Sequence, residues 1–422
     1  MTGKSTNTFA GIDFGTSNSS VGLCRYDTPS LVNFPGEGNS VPSAIYYSNE
    51  TAEVAFGKNA ISAYTQDNEG RLLRSLKSVL GTALMGEKTV IRNRRVAFTD
   101  IMKDFFGYLK QHLDVQAQQD VDTVVLGRPV HFVDDDEDRD REAENQLRQI
   151  AHSAGFTHIE FQYEPIAAAL NYESTLQREE LVAIVDIGGG TADFSVLRLS
   201  PQRHNHSRRN DDVLATTGIH IGGTDFDRLL SLDRVMPELG FGSAVRGTER
   251  LLPGSTYFDL ATWHRIPLLY NITRLNQARQ MRLDALESAK LDRLIAVIEH
   301  RLGHTLARSV EMAKIDLSDS DSAVVKLRDA KLALSCTVSA EDMRKAIAGS
   351  VEQLAQCLQQ ALLQAGVAHE NIVSVFYTGG TSNVPYLRQS IRDLLPQAEH
   401  KQGDVFGSVG LGLAIDAARR FN

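Results

Sequence analysis

Cysteine is scarce in this chain: only Cys24, Cys336 and Cys357 occur in 422 residues, far apart and in no metal-ligand spacing. That excludes a disulfide framework and a thiolate zinc module, and it fits a reducing compartment. Long apolar runs are lacking too. No stretch reaches the roughly 18 apolar residues of a membrane helix, and the opening MTGKSTNTFAGIDFG has no run of signal-peptide length. A cytoplasmic protein with no membrane partner is expected. Basic residues are outnumbered, 44 against 53 acidic, for a formal net charge of -9. Such a balance argues against a surface built to neutralise phosphate backbones, so nucleic acid is not an expected partner. What is present, 42% hydrophobic and 23% charged residues, is ordinary globular composition at a length that accommodates two or three domains.

The segment TFAGIDFGTSNSSVGLCRY alternates apolar stretches around a Gly-Thr-Ser-Asn turn and reads as two antiparallel strands in a tight hairpin. Residues 100–113 carry apolar side chains at helical spacing. VDTVVLGRPVHF reads as a buried strand stopped by Gly127 and Pro129, and the charge run DDDEDRDREAE after it as a solvated loop and helix start. An amphipathic helix is expected over 143–155, then a strand in FTHIEFQY and a helix in EPIAAALNYESTL. ELVAIVDIGGGTADFSVLRLS again gives strand, glycine-rich turn and strand. Aligning Asp13 with Asp186 sets IDFGT against VDIGGGT and implies an internal duplication.

Further on, PQRHNHSRRNDD reads as a polar loop whose His and Arg residues face water. Residues 232–275 are irregular and 276–317 strongly helical. SAEDMRKAIAGSVEQLAQCLQQALLQAG is a long helix with Ser339 as its N-cap and Asp342 at the capping-box position. IVSVFYTGG supplies a strand and another glycine pair, and VGLGLAIDAARRF a short apolar helix.

Consecutive backbone N–H groups at a tight turn hold phosphates when glycine or small hydroxyl residues let the backbone approach. Two facing turns clamp a polyphosphate, and here the first offers Gly15, Thr16, Ser17 and Asn18, the second Gly188, Gly189, Gly190 and Thr191. Asp13 and Asp186 precede them, placed to hold the waters of a hydrated magnesium ion. G-x-x-x-x-G-K-[ST] is absent, and both turns lead into strands rather than helices, which excludes a P-loop and a dinucleotide fingerprint. Glu311, Lys314 and Ser318 fall at i, i+3 and i+7, on one helical face.

As a set, GIDFGTSNSSVG, EPIAAAL, VDIGGGTADFSV, GIHIGGTDFD and FYTGGTSNVP resemble the five nucleotide-site motifs of the actin and hexokinase superfamily. The version they resemble is that of DnaK-type heat-shock chaperones (the heat-shock protein 70 family), and among these the short YegD-type members. This resemblance implies an α/β, two-lobed actin/hexokinase/DnaK-type ATPase fold with ATP and magnesium in the interlobe cleft. It divides the chain into lobe I over 1–180, with a subdomain near 40–100, and lobe II over 181–403, with an enlarged subdomain near 231–318. Residues 404–422 would return to lobe I.

Carried over by resemblance, Asp13, Asp186 and Asp193 serve the metal. Lys77 in RSLKSVLG helps orient the attacking water, and Glu164 lies near that water and the metal. Lys77, Glu164, Asp186 and Thr191 are the expected catalytic set. Glu311, Lys314 and Ser318 would contact the ribose and base, with Gly379 and Gly380 letting the backbone approach and Gly222 and Gly223 in the same lobe. Asn383 stands where the family has an arginine that stacks on adenine, so a looser hold on the base is expected. Asp404, before the last helix, has no secure match to the family's metal-linked aspartate. The chain ends at Asn422, before any linker, peptide-binding β-sandwich or lid, so no intrinsic peptide-binding domain is expected. The expected function is an ATP-binding, weakly hydrolysing, chaperone-like switch working with an unknown protein partner or client. The alternatives are a small-molecule kinase and an ATP-dependent scaffold of the same superfamily.

Overall fold

The computed structural model describes residues 8–26, 28–67, 70–133, 136–203, 206, 209–329, 332–402 and 408–421. Asp404 lies outside them. The chain divides into two compact units, one of residues 1–220, 356–382 and 392–422, the other of 221–355 and 383–391.

The first unit holds two central sheets. In the first, β1 (Thr8–Phe14), β2 (Asn18–Arg25) and β3 (Thr28–Leu31) form an antiparallel meander. β4 (Thr123–Arg128) then joins β1 in parallel on its other side, and β5 (His158–Tyr163) joins β4, giving the order β5-β4-β1-β2-β3. The second sheet repeats the plan. β6 (Glu180–Ile187), β7 (Ala192–Leu199) and β8 (Val213–Ile219) are the meander, and β9 (Ile372–Thr378) and β10 (Glu399–Gln402) add in parallel beyond β6. Order and sense match along these five strands, with the short Val41–Pro42 added on β2 in the first sheet, so the duplication read from IDFGT and VDIGGGT is a duplication of topology. The α/β fold class expected from the sequence is therefore present, with its duplicated sheets.

Both strands that open the sheets are near-continuous apolar runs, as strands covered on both faces must be. Ala10 and Ile12 of β1 and Val182 to Val185 of β6 have at most 1% exposure. Helices α1 (Phe98–Ala117), α2 (Glu137–Ser153) and α3 (Glu164–Glu173) pack on the first sheet, joined by a fourth. Phe105 and Phe106 of α1 meet Phe14 with ring centroids 5.9 and 5.2 Å apart. Ile166 and Leu170 of α3 pack with Ile184 and Leu197 in a further cluster. α4 (Ser408–Phe421) lays Leu413, Ala414 and Ala417 against Phe9 and Val125.

Three readings are corrected here. Gly127 does not stop the strand, which runs on to Arg128 and ends directly before Pro129, while α2 begins at Glu137, capped by Asp136, inside the charge run read as a helix start. The charge run is not simply solvated: Asp140 and Glu144 turn inward to Arg128. In the 201–212 loop, Arg209 does not face water. It is fully buried and makes a fork to Glu173, at 2.9 and 2.6 Å, and a further pair with Asp212. A short polar-rich stretch hides this because the partner carboxylate lies 36 residues away.

In the second unit, Gly222 caps the helix Gly223–Leu230, and the hairpin Ser322–Asp329 with Leu332–Ser339 alternates buried and exposed residues. Helices Ile272–Asp284, Ser288–Glu299 and Gly303–Asp316 occupy most of the stretch expected to be helical.

Candidate functional site

β1 and β2 are joined by the turn at Gly15–Ser17, where the chain reverses within three residues. A Cβ on Gly15 would lie 2.1 Å from the Asn18 carbonyl oxygen, so only glycine fits. Ser43 braces this turn from outside, donating its hydroxyl to Gly15 O at 2.7 Å and its N–H to Ser17 O at 2.8 Å. Nothing in the first motif pointed to Ser43. The second turn, between β6 and β7, closes with the Gly188 N–H donating to Thr191 O at 3.0 Å. Here the brace is the third glycine motif: Thr381 donates its hydroxyl to Gly188 O at 2.7 Å. Gly379 has φ +73°, and a Cβ there would sit 2.3 Å from Ile187 O, which explains the glycine. Gly188–Thr191 and Gly379–Gly380 are thus one packed turn cluster.

Register places the aspartates. Asp13 pairs with Ser20 across β1 and β2, and Asp186 with Asp193 across β6 and β7, at equivalent points of the two sheets. Asp193 therefore shares a sheet face with Asp186. Lys77 reaches the site from the turn Leu76–Val79, which is entered through Ser75 in the left-handed region at φ 58°. Leu76 and Val79 bury their side chains and anchor that turn. Lys77 Nζ lies 2.5 Å from Glu164 Oε1, with both side chains about nine-tenths buried. Glu164 is the first residue of α3.

The electrostatics tie the four groups together. Burial pushes the Asp13 carboxyl well above the usual carboxylate range, and Glu164 and Asp186 add to it against the pull of Lys77. Burial and Glu164 push Asp186 up to about 6, while Thr378 and Lys77 act the other way. For Lys77, burial opposes the charge, but Glu164, Asp13 and Asp186 outweigh it and hold the ammonium above its ordinary value. Three carboxylates thus share one ammonium, an excess of negative charge that suits a divalent cation. Among the described residues, no three His, Cys, Asp or Glu side chains converge on a common coordination point. A magnesium ion that keeps most of its waters fits this donor set; a fully protein-caged ion does not. A cavity of about 980 Å³ opens on this region, with Glu164, Asp186, Asp193 and Thr378 in its wall.

Of the base-side residues, Gly379 and Gly380 belong to the first unit, while Glu311, Lys314, Ser318, Gly222, Gly223 and Asn383 belong to the second and are described there alone. Glu311 and Lys314 stand on the helix Gly303–Asp316, but Ser318 falls beyond its end, so the three do not share one helical face. Lys314 is engaged within that unit, donating to Gly223 O at 3.1 Å and pairing with Asp227 at 2.9 Å. The Gly222 N–H donates to Asp225 Oδ2 at 3.1 Å. Asn383 Oδ1 accepts from Arg388 Nη2 at 2.7 Å.

Comparison with known proteins agrees with this arrangement. The Hsp70 protein family pattern matches residues 85–238 and 289–419, which include Glu164, the Asp186 turn and the Gly379–Gly380 pair, while Asp13 and Lys77 precede the matched residues. The chaperone protein HscA homolog of Haemophilus influenzae (strain PittGG) is 26% identical over 427 residues, covering 96% of this chain and 57% of that protein. Chaperone protein HscA of Serratia proteamaculans (strain 568) is 25% identical over 429 residues, with 97% and 57% covered. The HscA homolog of Aliivibrio salmonicida (strain LFI1238) is 24% identical over 427 residues. The chain thus spans a little under three fifths of the length of these relatives, at 57%. With two sheets sharing one five-strand order, a matched pair of Asp-bearing turns and a family pattern running over more than half of its length, the chain belongs to the Hsp70 family.

Proposed function

We propose that this chain binds ATP with magnesium, hydrolyses it slowly and uses the nucleotide state as a switch read by a protein partner. The observation that carries the reading is the pairing of Asp13 and Asp186 at equivalent points of two duplicated sheets, with the Lys77–Glu164 ion pair beside them. The backbone N–H groups of the 15–18 turn and of residues 189–191, in the turn that the Gly188 N–H closes, bind the phosphates. Asp13, Asp186 and Asp193 hold the water shell of the magnesium ion, which when bound supplies charge neutralisation at the phosphates. Lys77 carries the only ammonium among the four coupled groups, and it stabilises charge that builds on the transferred phosphoryl group. Glu164 holds that ammonium in place and orients the attacking water. Thr191 supplies a hydroxyl at the closing position of the second turn. Such a reaction needs positioning and electrostatics more than covalent chemistry.

On the base side the reading uses Glu311, Lys314, Ser318, Gly222, Gly223, Gly379, Gly380 and Asn383. Chaperone-like action follows from the names of the HscA relatives and from no surface of this chain.

The test is a comparison of binding and turnover. In Lys77→Ala and Thr191→Ala, phosphate release falls about a hundredfold, while the Kd for magnesium ATP, measured by calorimetry, changes less than about tenfold. Equal losses in both quantities, or none in either, defeat the assigned roles.

A further inference from the structure

Arg128 lies one strand away from Glu164 and takes no part in the chemistry above. Its guanidinium is 13% exposed and donates to Asp140 Oδ2 at 2.6 Å, to Glu144, and to the carbonyls of Pro129 and Val130 at 3.1 and 3.3 Å. Asp140 also accepts the Phe132 N–H through its other oxygen, so it ties the guanidinium and the chain after β4 together. Both carboxylates come from the first two turns of α2, the charge run whose purpose the sequence did not reveal. The guanidinium carbon lies over two rings, 5.3 Å from the Phe132 centroid and 5.4 Å from that of Tyr163.

Tyr163 is the register partner of Arg128 across β4 and β5, and it is the residue immediately before Glu164. At the same junction, the Gln162 side chain donates through Nε2 to Asp416 Oδ2 at 3.0 Å, and its Oε1 accepts the Tyr163 N–H at 3.0 Å. Gly127, next to Arg128, leaves room for the Glu164 side chain: a Cβ there would lie 3.1 Å from Glu164 Cγ. The step from β5 into α3 is therefore gripped by Arg128 and by Gln162, and the direction in which Glu164 leaves the backbone depends on that grip.

We infer that Arg128, held over the Tyr163 ring and anchored by Asp140 and Glu144, is a positioning residue that aims Glu164 at Lys77. This rests on the phosphoryl-transfer reading of those two residues. A fork-shaped planar cation is required, because it must satisfy two carboxylates while lying over the ring. A lysine keeps the charge but does neither. Small misplacements of an orienting group cost rate far more than they cost binding.

The test uses the full chain. Arg128→Gln and Arg128→Lys each slow single-turnover phosphate release about tenfold, while the Kd for magnesium ADP stays within about threefold. Combining Arg128→Gln with Tyr163→Leu costs no more than either change alone, because both break one contact. A turnover within twofold of the parent, full activity in Arg128→Lys, or additive losses in the double variant each overturn the inference. A second readout does not depend on nucleotide. In the ligand-free chain the Lys77 Nζ resonance shifts in Arg128→Gln by NMR, because its carboxylate partner has moved. An unmoved resonance overturns the positioning role even if the parent binds no nucleotide, whereas a shifted resonance in a chain that binds none overturns only the functional reading.

Discussion

At His400 the two ring nitrogens have different partners. Nδ1 lies 2.8 Å from the Tyr377 hydroxyl and Nε2 lies 3.1 Å from Leu395 O, so the neutral ring donates at Nε2 and accepts at Nδ1. Burial lowers the pKa of this histidine, helped by Arg392 and opposed by the Leu395 carbonyl. A base whose folded value is depressed binds its proton more readily in the unfolded chain. Its contribution is therefore complete above the unfolded value of 6.5 and is lost as pH falls through the lowered folded value. His400→Phe keeps a ring to stack on Tyr377 and removes the titration, so its melting temperature falls less than the parent's between pH 7.5 and pH 5.5. Parallel losses in the two proteins, followed by calorimetry across that range, would count against this coupling. At this scale the sequence showed chemistry but not company. Lys77 and Glu164 were named by resemblance, yet their 2.5 Å contact spans 87 residues. Arg209 looked like a surface residue because its carboxylate partner comes from the end of α3.

Helix Ala340–Ala365 shows how much an element's own residues decide. The Ser339 N–H donates to Asp342 Oδ2 at 2.9 Å, and the Asp342 N–H donates to Ser339 Oγ at 3.1 Å, so two orphan donors at the helix start are satisfied reciprocally. Aspartate fills the place that glutamate or glutamine usually takes. Ser339→Ala removes one half of the pair and costs about 1 kcal/mol, read as a lower denaturant midpoint at unchanged m-value. A change below a few tenths of a kcal/mol means that water caps the helix equally well. Local signals of this kind were legible beforehand: alternating strands, glycine turns and the cap at Ser339. The helix start in the charge run was legible too, but not the inward turn of Asp140 and Glu144, because their partner, Arg128, sits on a strand. The strand end was marked by Pro129, whereas Gly127 is a close-approach position rather than a stop.

For the molecule as a whole, the chain carries a formal net charge of -9 and concentrates three carboxylates around Lys77. Buried carboxylates in such excess are destabilising without a compensating cation, and the proposed function supplies one with the nucleotide. Magnesium ADP at a hundredfold excess over its Kd therefore adds about 2.7 kcal/mol to the stability of the native state, and ADP with a chelator adds much less. Thermal unfolding with and without magnesium measures this, and identical midpoints in the two conditions would remove magnesium from the site. Among the described residues no helix is long and apolar enough to cross a membrane.

By itself, the sequence determined the duplication, the two Asp-bearing turns and the third glycine turn, because each is written in contiguous residues whose backbone needs are local. Only the tertiary structure decided that the two sheets share one strand order, that Thr381 braces Gly188, and that Lys77 meets Glu164. It also decided that Arg128 faces Tyr163 and two helix carboxylates. Ion pairs and stacked rings form between side chains tens of residues apart. Their partners are chosen by where the strands and helices bring them, which no local pattern of residues records.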